Sequence, residues 1–283
     1  MLPTFVIGLR EGLEASLIVG IIAAFLIQRG DRQALRPMGI GVVVAVGISF
    51  AVAIALAIIG GRLPLKQRET MEGILALIAV AGVTYMIIWM RRHSRDLKRQ
   101  LEDHAESALV NGSIFALVGM AFFAVIREGL ETAVFMLAAF QSSLNPVATG
   151  LGAILGVAVA IGLGWAIYRG GVRIDLSKFF RVTGFILVLV AGGLLSSAVH
   201  EFAEAGVVTF AQSSAIDLSW LIQPGTIVAS LATGMLGLQP VPTQAEVLVW
   251  LLYVIPMGLY VLWPQRARVQ AAPGSREQAP ATT

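Results

Sequence analysis

The sequence predicts an all-α integral membrane protein of seven transmembrane helices, with the N-terminus outside and the C-terminus cytoplasmic. Its predicted architecture is a 3+3 inverted repeat followed by one extra helix. Three observations carry this reading. Of 283 residues, 57% are hydrophobic and only 13% charged, whereas a soluble domain carries about a quarter charged residues. Lysine and arginine gather at one set of helix ends. The pentapeptide Arg-Glu-Gly-Leu-Glu occurs twice, at Arg10 to Glu14 and at Arg127 to Glu131, in apolar runs that cross in opposite directions.

A membrane-spanning helix needs about 20 apolar residues. Seven runs meet this: Pro3–Ile27, Met38–Ile59, Glu72–Met90, Ser113–Phe140, Val147–Tyr168, Phe179–Val199 and Glu246–Trp263. The second is uncharged throughout. The seventh is short, and Pro256 is expected to kink it. A cleavable signal peptide is not expected, because Arg10, Glu11 and Glu14 interrupt the first apolar run and no basic segment precedes it.

Orientation follows from the basic residues. One set of ends carries Arg29, Arg32, Arg36, Arg91, Arg92, Arg95, Lys98, Arg99, Arg169, Arg173, Lys178, Arg181, Arg266, Arg268 and Arg276. The other carries Arg62, Lys66 and Arg68. Positive residues stay inside, so fifteen against three places the first set in the cytoplasm. The basic balance (+3 at pH 7) therefore reflects topology and does not predict nucleic-acid binding. The loop from Arg91 to Asn111 mixes both signs and reads as a solvated cytoplasmic helix, with His93 and His104 as surface residues. Residues 265–283 read as a disordered cytoplasmic tail. The stretch 206–245 contains an uncharged run, Leu218 to Leu238, broken by Pro224-Gly225 and diluted by Ser219, Gln223, Thr226, Ser230 and Thr233. If it spanned the membrane, the basic tail would fall outside, so it is expected to be external or re-entrant.

The candidate functional site is the pair of pentapeptides. A charge at the bilayer centre costs at least about 2.5–3.5 kcal/mol on insertion scales, and each copy places three there. At 1.5 Å per residue, Glu11 lies roughly 12 Å and Glu14 roughly 16 Å from the outer end of span one, with Glu131 roughly 13 Å and Glu128 roughly 18 Å deep in span four. Two layers are expected, Glu11 with Glu131 and Glu14 with Glu128. Within each copy the glutamates are spaced i, i+3 and share a helix face. Arg10 and Arg127 stand at i, i+4 to Glu14 and Glu131, so each arginine can hold one carboxylate ionised. Four glutamates and two arginines leave a charge of −2, to be met by protons or a multivalent cation. Carboxylates suit hard ions such as Mg, Ca, Mn or iron, and the chain has no cysteine for disulfides or thiolate sites. Gly12 and Gly129 let the motif helices approach closely. Gly8, Gly12, Ser16 and Gly20 form a small-residue stripe in span one, as do Gly152, Gly156, Ala160 and Gly164 in span five. Helix packing is the preferred reading of the second stripe.

Two such motifs in spans one and four of a seven-span chain resemble the oxidase-dependent iron permeases, the family of the fungal high-affinity iron permeases and the bacterial EfeU-type permeases. The resemblance runs to about Trp263 and includes Glu72-Gly73, the Trp89-Met90-Arg91-Arg92 exit and Phe122-Phe123-Ala124 before the second motif. It implies a single permease domain over 1–264, with repeat one at 3–90, repeat two at 113–199, an external segment at 200–245 and span seven at 246–263. It further implies inward movement of Fe(III) or Fe(II) across the bacterial cytoplasmic membrane, with iron as substrate and no permanently bound cofactor. On this resemblance Glu11, Glu14, Glu128 and Glu131 bind the metal and Arg10 and Arg127 support them. Periplasmic or extracellular oxidase- or peroxidase-type partner proteins are implied as well. The acidic external Asp-Ala-Ser-Glu motif of fungal members is missing, and Glu69, Glu72, His200, Glu201, Glu204 and Asp217 are candidates for an outer capture site in its place. Solvation of helix ends is the plainer reading of those residues. A permease for lead or manganese, an intramembrane carboxylate enzyme and a structural membrane subunit are the alternatives. The second of these lacks HExxH, a nucleophile elbow and an Asp-rich diphosphate motif.

Overall fold

A computed structural model describes residues 1–28, 30, 32–93, 114–141, 143, 145–168, 176–223, 226, 229, 232–233 and 236–263. Among the described residues every regular element is helical. The long helices are α1 (Leu2–Gln28), α2 (Leu35–Gly61), α3 (Leu65–His93), α4 (Ile114–Gln141), α5 (Pro146–Tyr168), α6 (Leu176–Glu204) and α7 (Gln244–Leu262). Among the described residues the sole bridge between extended segments joins Ser214 to Thr243. The acidic–basic segment containing His104 and the tail from 265 lie outside the described residues.

In hydrocarbon each backbone N–H and C=O must be paired within its own segment, which makes helices of these apolar runs. Six of the seven are long and apolar enough to cross a membrane, and the chain is a multi-pass membrane protein. The remaining one, α4, has equal length, but no stretch of 18 residues in it escapes Arg127, Glu128 and Glu131. Exposed apolar side chains such as Val43, Phe50 and Ile54 on α2, Ile154 and Ile161 on α5, and Leu252 and Leu259 on α7 cover the outer faces. α7 starts with a capping box, in which Thr243 accepts from the Glu246 N–H and Glu246 returns a bond to the Thr243 N–H. The helix then runs uninterrupted through Pro256.

Two helices extend past their apolar spans. α3 begins at Leu65 rather than Glu72, held in its first turns by the Arg68–Glu72 pair at 2.8 Å. α6 continues to Glu204, so His200, Glu201 and Glu204 occupy its last turn.

α1 packs chiefly on α5, α4 on α2, and α3 on α6; α1 and α4 also meet directly, and α7 lies on α6. The α1–α5 contact is made by the two small-residue stripes facing each other. A Cβ at Gly8 would lie 2.9 Å from the Ala153 carbonyl, and one at Gly12 2.9 Å from the Ala160 Cβ. Cβ atoms at Gly152, Gly156 and Gly164 would collide with Met1, Phe5 and Ser16. Gly20 faces open space, so the stripe ends at Ser16. Two apolar cores flank the motifs. One joins Val6, Ile7, Val80, Phe135, Leu187, Val190 and Leu194. The other joins Ile18, Ile22, Leu26, Met38 and Ala121.

Residues 207–223 and 237–243 are not helical. Ile222 and Ala229 are buried. The turn at Leu236–Leu238 penetrates the bundle: the Leu236 carbonyl accepts from Trp250 Nε1 at 2.8 Å, and Gly237 lies against Gly193 so tightly that neither tolerates a Cβ. Gly237 has φ +62, the left-handed region that glycine enters without steric cost. Gly193 is eleven residues from the end of α6, about 16 Å along the helix.

Candidate metal-binding site

Both pentapeptides lie mid-helix, α1 and α4 touch, and the motif faces turn toward each other. Glu11, Glu128 and Glu131 each bring one carboxylate oxygen into a group whose members all lie within 4.8 Å of one another. Glu11 and Glu128 are buried, and Glu131 is partly so. Glu14 is also buried, but it is engaged by Arg10, whose Nε donates to Glu14 Oε1 at 3.3 Å. The carboxylates therefore form a trio plus an ion pair, not the two stacked layers that depth along the helices suggests. Spacing along a helix gives depth, while rotation about the axis decides which oxygens meet.

The two arginines differ. Arg10 is 1% exposed and pairs with Glu14. Arg127, 55% exposed, spans two carboxylates, with Nη2 3.0 Å from Glu128 Oε1 and Nε 3.3 Å from Glu131 Oε1. Its guanidinium also lies 5.8 Å from the centre of the Trp89 ring on α3. The Arg127–Glu131 pair has the i, i+4 spacing read from the sequence, and the Arg127–Glu128 contact is additional.

Each motif glycine faces a different helix. Gly12 meets Ala160 of α5, and a Cβ on Gly129 would collide with the hydroxyl of Ser49 on α2. The glycines thus seat each motif helix on a neighbour other than its motif partner. With both oxygens of Glu11 and Glu128 Oε2 buried and lacking any hydrogen-bond partner, the trio is equipped to hold a hard cation.

The outer candidates divide. The start of α3 lies beside the end of α6, with Gly73 against the Phe202 ring, which puts Glu201 in electrostatic reach of Glu69, Glu72, His200 and Glu204. His200 bridges two carboxylates, with Nδ1 3.0 Å from Glu246 Oε1 and Nε2 3.3 Å from Glu204 Oε1. Glu246 was not among the sequence candidates. Its signal was local, since Thr243-x-x-Glu246 before an apolar run is a capping-box pattern, but its contact with His200 across 46 residues was not legible. Asp217 stands apart. It is exposed and accepts from the Ser219 hydroxyl and from the Ser219 N–H, bonds that hold its carboxyl below the usual carboxylate range.

The sequence model of the Iron permease FTR1 family matches residues 1–269. The chain belongs to this family. Over 274 residues it is 41% identical to the ferrous iron permease EfeU of Escherichia coli O6:H1, covering 96% of this chain and 99% of the relative. It is also 41% identical to the EfeU of Yersinia pestis, covering 96% of this chain and 97% of that relative. No solved structure matches the chain.

Proposed function

We propose that this chain is a ferrous iron permease of the cytoplasmic membrane, in which Glu11, Glu128 and Glu131 bind the ion midway across. The observation that carries the reading is the set of orphaned oxygens: both of Glu11 and one of Glu128, buried and unpartnered within the trio. Burying a carboxylate without a partner is costly, and a cation arriving from water supplies what these oxygens lack. Charge selects the ion. Arg10 and Glu14 cancel; three carboxylates with Arg127 leave −2, which one dication neutralises. The names of the relatives, ferrous iron permeases, agree with Fe(II).

The helix packing is consistent with an inverted repeat of α1–α3 and α4–α6. Exchanging the halves turns the α1–α5 contact into α4–α2 and leaves α3–α6 and α1–α4 unchanged, with the site where the motif helices meet. The basic ends are cytoplasmic in this reading, and the N-terminus faces outward. An oxidase- or peroxidase-type partner would deliver iron at that outer face.

Uptake by the purified protein in sealed liposomes tests the proposal, with Fe(II), Fe(III), Mn(II) and Pb(II) compared at equal concentration. Fe(II) should enter at least about tenfold faster than Fe(III), because a third positive charge leaves the buried site unbalanced by one unit. Failure to carry iron, or a preference for Pb(II) or Mn(II), would move the assignment to another cation.

The outer group (Glu69, Glu72, His200, Glu201, Glu204, with Glu246 holding the histidine) is assigned to capture. Negative charge at a mouth raises the local cation concentration and on-rate. Replacing both Glu201 and Glu204 by Gln should lower uptake several-fold at scarce iron, with full recovery when iron is abundant. The gap between wild type and variant should narrow in high salt, which screens steering. A reduced maximal rate would instead put these two residues on the path itself.

A further inference from the structure

At the end of the bundle where α1 begins and α4 finishes, a chamber of about 40 Å³ opens among α1, α4, α5, α6 and the Leu236–Leu238 turn. Five hydroxyl residues line it: Thr4, Ser143, Thr149, Ser197 and Thr233. None of them belongs to the carboxylate site. We propose that this chamber is an outer binding station for the transported dication, where hydroxyl oxygens replace part of its hydration shell before it reaches the carboxylates. The proposal rests on the transport reading and adds a route to it.

The hydroxyls are prepared as oxygen donors. Thr4 donates its proton to the Thr149 carbonyl at 2.8 Å, Thr149 to the Asn145 carbonyl at 3.0 Å and Thr233 to the Ala229 carbonyl at 2.6 Å. With these three protons committed to backbone, and Ser143 and Thr149 also bonded to each other at 2.5 Å, lone pairs of Thr4 and Thr233 remain for a cation, and hard ions take neutral oxygen ligands readily. The size agrees: about three or four waters fit at about 10–15 Å³ each, so an ion with a complete shell does not.

Position aligns the chamber with both acidic sites. On α6, Gly193 and Ser197 line the chamber, and Glu201 follows at the next i+4 step, so capture group and chamber share a helix face. On α1, Thr4, Ile7 and Glu11 follow at i+3 and i+7, which sets Glu11 about 10 Å deeper than Thr4. On α4, Ala139 of the chamber wall stands about 12 Å outward of Glu131, with Phe135 between them. Ile7 and Phe135 are 1% and 2% exposed and belong to one core with Val190 and Leu194 of the chamber wall. An apolar layer thus separates chamber from trio, and an ion waiting outside it has hydroxyls to rest against.

Because the chain has no cysteine, a single introduced thiol reports on one position. Ser197→Cys and Thr233→Cys proteins, in sealed vesicles of known sidedness, would be treated with a membrane-impermeant cationic thiol reagent on the side of the N-terminus. Ser16→Cys, packed against α5, serves as the buried control, and Glu11→Gln uptake is measured alongside. Both chamber cysteines should react at least tenfold faster than the control. Fe(II) should slow the reaction, and modification should cut uptake at least tenfold. Chamber cysteines that stay unreactive, that react without protection by Fe(II), or that are modified without loss of uptake would overturn the station while leaving the carboxylate site intact. Normal uptake by Glu11→Gln would strike Glu11 from the carboxylate site, and absence of Fe(II) uptake by the unsubstituted protein would strike the transport reading itself.

Discussion

Glu11→Gln and Glu128→Gln are each expected to lower iron uptake by at least about 100-fold while the protein still inserts and folds. Glutamine keeps the size and removes one unit of charge from the trio, taking the site from −2 to −1. A unit charge about 4 Å from another is worth about 4 kcal/mol at an effective dielectric constant of 20. Against a dication this doubles to about 8 kcal/mol before desolvation is counted. If only a third survives that cost, the ion is held about 100-fold less tightly. Folding should not suffer, because both Glu11 oxygens and Glu128 Oε2 have no hydrogen-bond partner to lose, a glutamine at 128 can keep its carbonyl oxygen toward Arg127, and a neutral amide is cheaper to bury than a carboxylate. Uptake by each variant in liposomes, set against its yield from membranes, is the measurement. Wild-type rates in either variant would remove that residue from the site.

How far the sequence could carry this reading depends on which kind of spacing mattered. Depth was legible. Apolar length marked the seven helices, and the two pentapeptides announced themselves by their expense at mid-membrane. The stripes Gly8–Gly12–Ser16 and Gly152–Gly156–Ala160–Gly164 were visible as small residues at i+4, but nothing in either one named the other as its partner. Rotation and lateral neighbours were not legible. Gly129 lies against Ser49, 80 residues earlier, and no local pattern marks that serine. The same gap explains why two layers of carboxylates were expected where a trio and an ion pair stand. Starts and ends of helices were misjudged where polar residues extend a helix beyond its apolar span, as at Leu65 to Met71. The segment 206–245 carries no hydrophobic period to give its path away, and its inward turn depends on Gly237 and Gly193 meeting without side chains.

Arg10→Met should produce the largest loss of stability of any single change in the site. Arg10 is 1% exposed and holds Glu14, itself buried. Removing one partner of a buried pair leaves the other charge uncompensated, at a cost of about 3–5 kcal/mol, a large part of the whole stability of a typical domain. The variant should therefore be recovered from membranes in low yield or melt well below wild type in detergent. Replacing the whole pair is a different experiment. Arg10→Met with Glu14→Gln buries no unpaired charge, and exchanging a buried pair for uncharged groups is often close to neutral for stability. The double variant should regain near-wild-type yield and melting temperature. Its trio with Arg127 still sums to −2, so it should also keep a measurable share of iron uptake, where Glu11→Gln keeps almost none. If stability returns and uptake does not, Glu14 touches the ion during transport, and Arg10 holds it ready between passages. If stability does not return, the Arg10 side chain is needed for its packing and not for its charge alone. Melting curves and uptake rates for the single and double variants, measured on the same preparations, separate these outcomes.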